Sequence, residues 1–188
     1  MADLRLEYPR PQLVRKEWLC LNGEWEFEVD NALVGEEKAY WNRPSLDGKI
    51  TVPYCPESDL SGVGNKDFMN CVWYRKKVTL PEEFAGKRTL IHFGAVDYLA
   101  TLYVNGKKIG SHTGGYTPFS FDITDALVEG ENVIVLSALD DIRSRKQPGG
   151  KQSSRLGSYG CYYTRTTGIW QSVWLEPVDA ARVETYRV

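Results

Sequence analysis

Short alternations of apolar and polar residues dominate the chain. Trp25, Phe27 and Val29 alternate with Glu24, Glu26 and Glu28. That period of two predicts a strand with one apolar face and three carboxylates turned toward water. Further strands are expected over residues 72–80, 89–93, 98–104, 119–123, 132–139 and 169–175. Asn105-Gly106 suits a two-residue hairpin turn, because both positions accept positive φ, and Gly114-Gly115 marks another reversal. Helical periodicity is scarce, with one short turn expected over 124–127. Many short strands in a chain of this length predict an all-β protein, a jelly-roll β-sandwich.

Two stretches break the alternation. Residues 57–69 show no period, and residues 140–167 run past the length at which a structureless connection is ordinary. The second stretch holds Arg143, Arg145, Lys146, Lys151, Arg155 and Arg165 against Asp140 and Asp141. It is either a functional loop or a solvated one.

Composition narrows the class. With 188 residues, 42% hydrophobic and 26% charged, the chain can bury roughly 70% of its unfolded surface around a core. Lys plus Arg number 23 against 25 Asp plus Glu, a net charge of −2, which argues against nucleic acid or a membrane surface as partner. No apolar run approaches the roughly 18 residues of a spanning helix. The opening MADLRLEYPRPQLVRKEW has no apolar signal core, so a cytoplasmic location is expected. Cys20, Cys55, Cys71 and Cys161 are scattered without paired spacing, and they read as free buried thiols rather than zinc ligands.

Candidate chemistry is sparse. Gly62-Val63-Gly64-Asn65-Lys66 lacks the spacing of a phosphate loop. Of the two histidines, His92 lies in an apolar strand and His112 follows a hairpin, so neither suggests a catalytic triad. Asp140 and Asp141 are adjacent, and on an extended backbone their side chains diverge. They make a poor glycosidase pair, which in retaining enzymes needs two carboxyls about 5 Å apart. Planar aromatics able to stack on a sugar ring include Trp41, Tyr116, Tyr159, Tyr162 and Tyr163. The residues alone therefore indicate a binding or scaffold domain without a complete active site.

A specific resemblance emerges from an ordered set of motifs. Residues 96–127, VDYLATLYVNGKKIGSHTGGYTPFSFDITDAL, resemble the N-terminal sugar-binding domain of glycoside hydrolase family 2, the group of β-galactosidases, β-glucuronidases and β-mannosidases. Leu21-Asn22-Gly23-Glu24-Trp25, Val72-Trp73-Tyr74-Arg75, Thr166-Thr167-Gly168-Ile169-Trp170 and Val173-Trp174-Leu175 resemble further family motifs in the same order. The resemblance implies a galactose-binding-like jelly roll over residues 1–178. Residues 179–188 are then a linker and the start of an immunoglobulin-like domain that precedes a catalytic TIM barrel. A strand-like stretch over 182–188 agrees with a chain that is a piece of something longer.

The family's catalytic glutamates lie on the barrel, one of them in an Asn-Glu pair that these residues lack, so the 188-residue chain is expected to be inactive alone. By resemblance Asn105 matches an asparagine that reaches the substrate pocket. Asp140 or Asp141 matches a carboxylate that binds sugar hydroxyls and, in some members, a sodium ion or another cation, although no cofactor is required. The expected partners are a terminal β-linked sugar and the following domains of the same chain, and a homo-oligomer is compatible with the sequence. An autonomous lectin-like module and a purely structural domain are the alternatives. The sugar, whether galactoside, glucuronide or mannoside, stays open.

Overall fold

The computed structural model describes residues 4–185. In chain order the strands are β1 (Leu19–Cys20), β2 (Gly23–Val29), β3 (Gly48–Val52), β4 (Cys71–Thr79), β5 (Arg88–Phe93) and β6 (Val96–Asp97). They continue with β7 (Leu99–Val104), β8 (Lys107–Thr113), β9 (Phe119–Asp122), β10 (Glu131–Leu139), β11 (Gly168–Ile169) and β12 (Val173–Val178). Only short 3-10 turns supplement them, and no α-helix occurs among the described residues. No helix there is long and apolar enough to cross a membrane.

Two antiparallel sheets face each other. One has four strands in the order β1-β12-β5-β9, the other six in the order β3-β2-β4-β10-β7-β8, and β11-β6 form a small ladder between loops. Alternation decides which side chains meet. Val72, Tyr74 and Val78 of β4, Ile134, Leu136 and Ala138 of β10, and Ala100, Leu102 and Val104 of β7 point inward. They share one core with Ile91, Phe93, Val173 and Leu175 from the four-stranded sheet. The expected strands are thus present, with one division. Residues 169–175 split into β11 and β12, because the chain turns at Trp170–Ser172.

The outer faces correct the simple inside-outside expectation. Residues 30–47 fold over the six-stranded sheet, where Leu46, Cys71, Trp73, Tyr103 and Val135 form a second apolar cluster flanked by Tyr40 and Trp41. Trp41 stacks on Tyr103 with centroids 5.6 Å apart. Glu26 and Glu28 are therefore partly covered and paired, and only Glu24 stays exposed. Glu26 binds the buried Arg75 guanidinium at 2.7 Å and accepts from the Leu46 N–H, and Glu28 is clamped by Arg43 at 2.8 Å. On the four-stranded sheet the N-terminal arm is strapped down by Glu176, a side chain with no exposed surface. Glu176 accepts from Tyr8 at 2.6 Å, Arg10 at 2.7 Å and the Trp174 indole at 2.7 Å.

Two smaller expectations also change. All four cysteines are free, as expected, but only Cys71 is buried; Cys161 is exposed and the other two are half-buried. Residues 182–185 form no strand, and the rest of the 182–188 stretch lies outside the described residues.

Candidate functional site

The loops at one end of the sandwich converge on three buried carboxyls. Glu57 comes from the long connection after β3, Asp97 ends β6, and Asp140 directly follows β10. Their solvent exposures are 5%, 1% and 4%. The antiparallel register of β7 on β10, with Leu139 opposite Leu99, explains why the ends carrying Asp97 and Asp140 come together. The Asp140 N–H donates to Asn70 O at 2.9 Å, which ties this end to the loop before β4.

Each carboxyl holds a piece of the 140–167 loop. Asp140 accepts from Gln147 Nε2 at 2.6 Å and from Thr167 Oγ1 at 3.0 Å. Glu57 Oε2 accepts from the Thr167 N–H at 3.2 Å. Asp97 Oδ2 accepts from Gln152 Nε2 at 2.7 Å, while Gln152 Oε1 accepts from the Thr166 N–H at 2.8 Å. One oxygen of Glu57 and one of Asp97 find no protein partner. Burial raises the Asp97 carboxyl to about 7, reinforced by the neighbouring Asp140 and Glu57 charges and opposed by the Gln152 hydrogen bond. Burial likewise raises Asp140, with Gln147 and Thr167 holding it partly back, and raises Glu57 against its bonds from Thr167.

Two isolated β-bridges, Gln152 with Tyr163 and Tyr159 with Tyr162, and a set of side-chain contacts order the loop. Arg165, 3% exposed, donates to the carbonyls of Arg155 at 2.5 Å and Leu156 at 3.0 Å within its own loop, and to that of Lys66 in the other. Its guanidinium lies 4.2 Å from the Phe68 ring centroid, and Arg143 lies at the same distance from that ring. The other basic residues of the loop, Arg145, Lys146, Lys151 and Arg155, are exposed like Arg143. Two glycines complete the packing. A Cβ on Gly115 would collide with the Asp97 carboxyl, and one on Gly168, at φ +72°, with the Tyr74 hydroxyl that receives the Ile169 N–H.

The residues expected from sequence separate. Asp140 is in the cluster. Asp141 turns the other way, as adjacent strand-end residues should, and its carboxylate accepts from the Arg143 N–H at 3.2 Å to cap the short 3-10 turn Ile142–Ser144. Asn105 sits in the β7–β8 turn at φ +50°, across the length of β7 from Asp97, roughly 20 Å at about 3.3 Å per residue. Its carboxamide donates to Ala126 O and Asn132 Oδ1 and accepts from the Val133 N–H. The structure does not bring Asn105 to the carboxyl cluster.

The carboxylates of Asp140 and Asp141 face different partners, so a cation would be held by one of them and not by both. Asp97, Glu57 and Gln152 were missed from sequence. A carboxylate inside the apolar run Ala95-Val96-Asp97-Tyr98-Leu99 was the available signal for Asp97, whereas Glu57 lies in aperiodic sequence that carries none.

The chain is a two-sheet antiparallel β-sandwich with three buried carboxyls gathered under long loops at one end. Its family follows from sequence. Residues 50–175 match the family described as glycosyl hydrolases family 2, sugar binding domain, and the chain belongs to that family. It is 35% identical over 121 residues to a β-galactosidase of Thermoanaerobacter pseudethanolicus, covering 63% of this chain and 15% of that one. It is 33% identical over 135 residues to the β-glucuronidase of Felis catus, covering 65% and 20%. Among solved structures, an uncultured Clostridium sp. β-glucuronidase superposes with a TM-score of 0.67 at 27% identity, covering 87% of this chain and 30% of that one. A β-glucuronidase from Ruminococcus gnavus in complex with D-glucuronic acid shares the fold at a TM-score of 0.67 and 23% identity, over 87% and 30%. The chain thus spans less than a third of each of these relatives.

Proposed function

We propose that this chain is the non-catalytic N-terminal carbohydrate-binding domain of a retaining β-glycosidase, and that the loop over Asp140 forms part of the substrate-pocket rim. The observation that carries the proposal is the use to which the buried carboxyls are put. Asp140, Glu57 and Asp97 each bind a loop amide or hydroxyl. None is paired across an open cleft as hydrolysis with retention requires. Chemistry then belongs to a barrel outside these 188 residues, and the cluster fixes the loop that faces it. Galactosides and glucuronides are the substrates favoured by the relatives' names.

The test has two arms. The 188-residue chain should release no nitrophenol from p-nitrophenyl β-galactoside or β-glucuronide, and turnover by it would overturn the non-catalytic assignment. When the chain is extended to the length of its relatives, Asp140→Asn should raise KM for one of those substrates with the fold retained. An unchanged KM would remove Asp140 and its loop from the rim.

A further inference from the structure

A second concave region lies beside Trp170 and Tyr116. Between the N-terminal arm and the loops after β8 and β11 runs a groove of about 870 Å³, lined by Tyr8, Pro9, Tyr116, Pro118, Trp170 and Gln171 among others. That volume is within the range of ligand sites. We propose that this groove is a carbohydrate-binding site separate from the carboxyl cluster, and that it holds a chain of β-linked pyranose rings against Trp170 and Tyr116.

The rings are held in place and both line the groove. The Trp170 indole N–H is spent on Gly115 O at 2.8 Å. Tyr116 meets it edge-on, with centroids 5.8 Å apart and planes at 72°. Trp170 is half-buried and Tyr116 is 51% exposed. Two aromatic planes at such an angle present negative π-faces to the axial C–H faces of pyranose rings, which are apolar and weakly positive.

The sugar's hydroxyl edge needs a group that both donates and accepts, and a carboxamide does both. Gln171 supplies it. Its side chain is exposed, lies against Gly94, and forms no hydrogen bond among the described residues. The opposite wall is held rather than floating, because Tyr8 and Arg10 on the arm are both bound to Glu176. Placing the rings therefore costs little reorganisation.

The proposal rests on the carbohydrate function above and deepens it by naming a second place and a longer ligand. Its test follows the Trp170 indole and Gln171 side-chain resonances of the 188-residue chain by NMR, with Trp170→Phe to assign the indole. Cellotetraose, xylotetraose and β-1,4-galactotetraose are titrated beside their methyl β-monoglycosides. At least one tetrasaccharide should give saturable shifts at both groups, with a dissociation constant in the millimolar range or below and about tenfold tighter than its monoglycoside. Tyr116→Ala and Gln171→Ala, both at exposed positions, should each weaken it about tenfold, and Asp140→Asn should leave it unchanged.

Three outcomes overturn the groove. No tetrasaccharide produces saturable shifts; or shifts appear only in residues 140–167, which would uphold the rim and reject the groove; or a proline-rich peptide saturates the same resonances while the sugars do not. Failure of the rim assignment reads out separately, in the KM of the extended chain.

Discussion

Two of the places where the sandwich buries carboxyls are treated in opposite ways. At Glu176 the fold brings everything a carboxylate needs: Tyr8, Arg10 and the Trp174 indole bind it, His92 Nε2 stands 3.3 Å away and Arg15 3.5 Å away. Burial alone would push this carboxyl up, but the facing His92, the Tyr8 hydroxyl and the Trp174 indole outweigh it and hold it well below the usual range. At Asp97 the fold brings one amide and two further carboxyls, and the group is raised to about 7. The first arrangement closes a strap, with the Tyr8 hydroxyl, the Arg10 guanidinium and the Trp174 indole all donating to one acceptor. The second keeps unmatched acceptors under the loops, which is how a site differs from a rivet.

The contrast can be broken most forcefully at the strap. Glu176→Ala should cost about 3–5 kcal/mol at pH 7, because it leaves buried donors and cations without their acceptor. Urea denaturation followed by circular dichroism measures it. The depressed carboxyl places its stabilisation fully above the unfolded-state value near pH 4.5, and this is lost as pH falls. The variant should therefore approach wild type in acid.

Asp97→Asn sharpens the comparison with the reverse sign. A carboxyl raised to about 7 stabilises the fold most below about pH 4, and that contribution declines up to about pH 7. The flanking Asp140 and Glu57 are raised in the same direction. Removing the charge should make the protein more stable than wild type at pH 8, by up to about 4 kcal/mol, and flatten its stability between pH 4 and 7. A variant less stable than wild type at pH 8 would contradict the assigned protonation.

Smaller effects test the reach of each region. Gln152→Ala unpairs Asp97 Oδ2 and the Thr166 N–H and should cost about 1–3 kcal/mol. The loss should be local, with hydrogen exchange accelerated over residues 140–167 and unchanged in β4 and β10. Asn105→Ala loses the brace to Ala126, Asn132 and Val133 and should cost about 1–2 kcal/mol in thermal denaturation. It should leave every sugar response of the chain unchanged, since the turn lies at the far end of β7.

Much of this was legible in the sequence, for identifiable reasons. β2, β4, β7 and β10 face the inner core along one side, so their alternation is visible in the string. The edge strands β3 and β8 were not expected, because sequences such as Gly-Lys-Ile-Thr-Val and Lys-Lys-Ile-Gly-Ser-His-Thr carry the charged and polar residues that protect an edge. Glu26 and Glu28 looked solvent-facing because nothing local reveals that residues 30–47 return to cover them. Asp140 was visible as the end of a strand, and its divergence from Asp141 followed from backbone geometry. Asn105 braces its turn away from the cluster, and the sequence could not separate that duty from ligand binding because a turn asparagine and a ligand-binding asparagine share the same dipeptide. The cluster's other members come from segments up to 110 residues apart, Glu57 and Thr167, and no linear pattern encodes that meeting.

The guanidinium–ring–guanidinium stack at Arg143, Phe68 and Arg165 has an evolutionary corollary. It fastens both ends of the 140–167 loop to the end of the other loop just before β4, while the tip around Gly157–Cys161 stays exposed. Insertions and deletions at that tip can be sampled without disturbing the anchored carboxyls beneath. A library that varies only its length and composition would read out how much change the tip accepts while the anchored base stays in place.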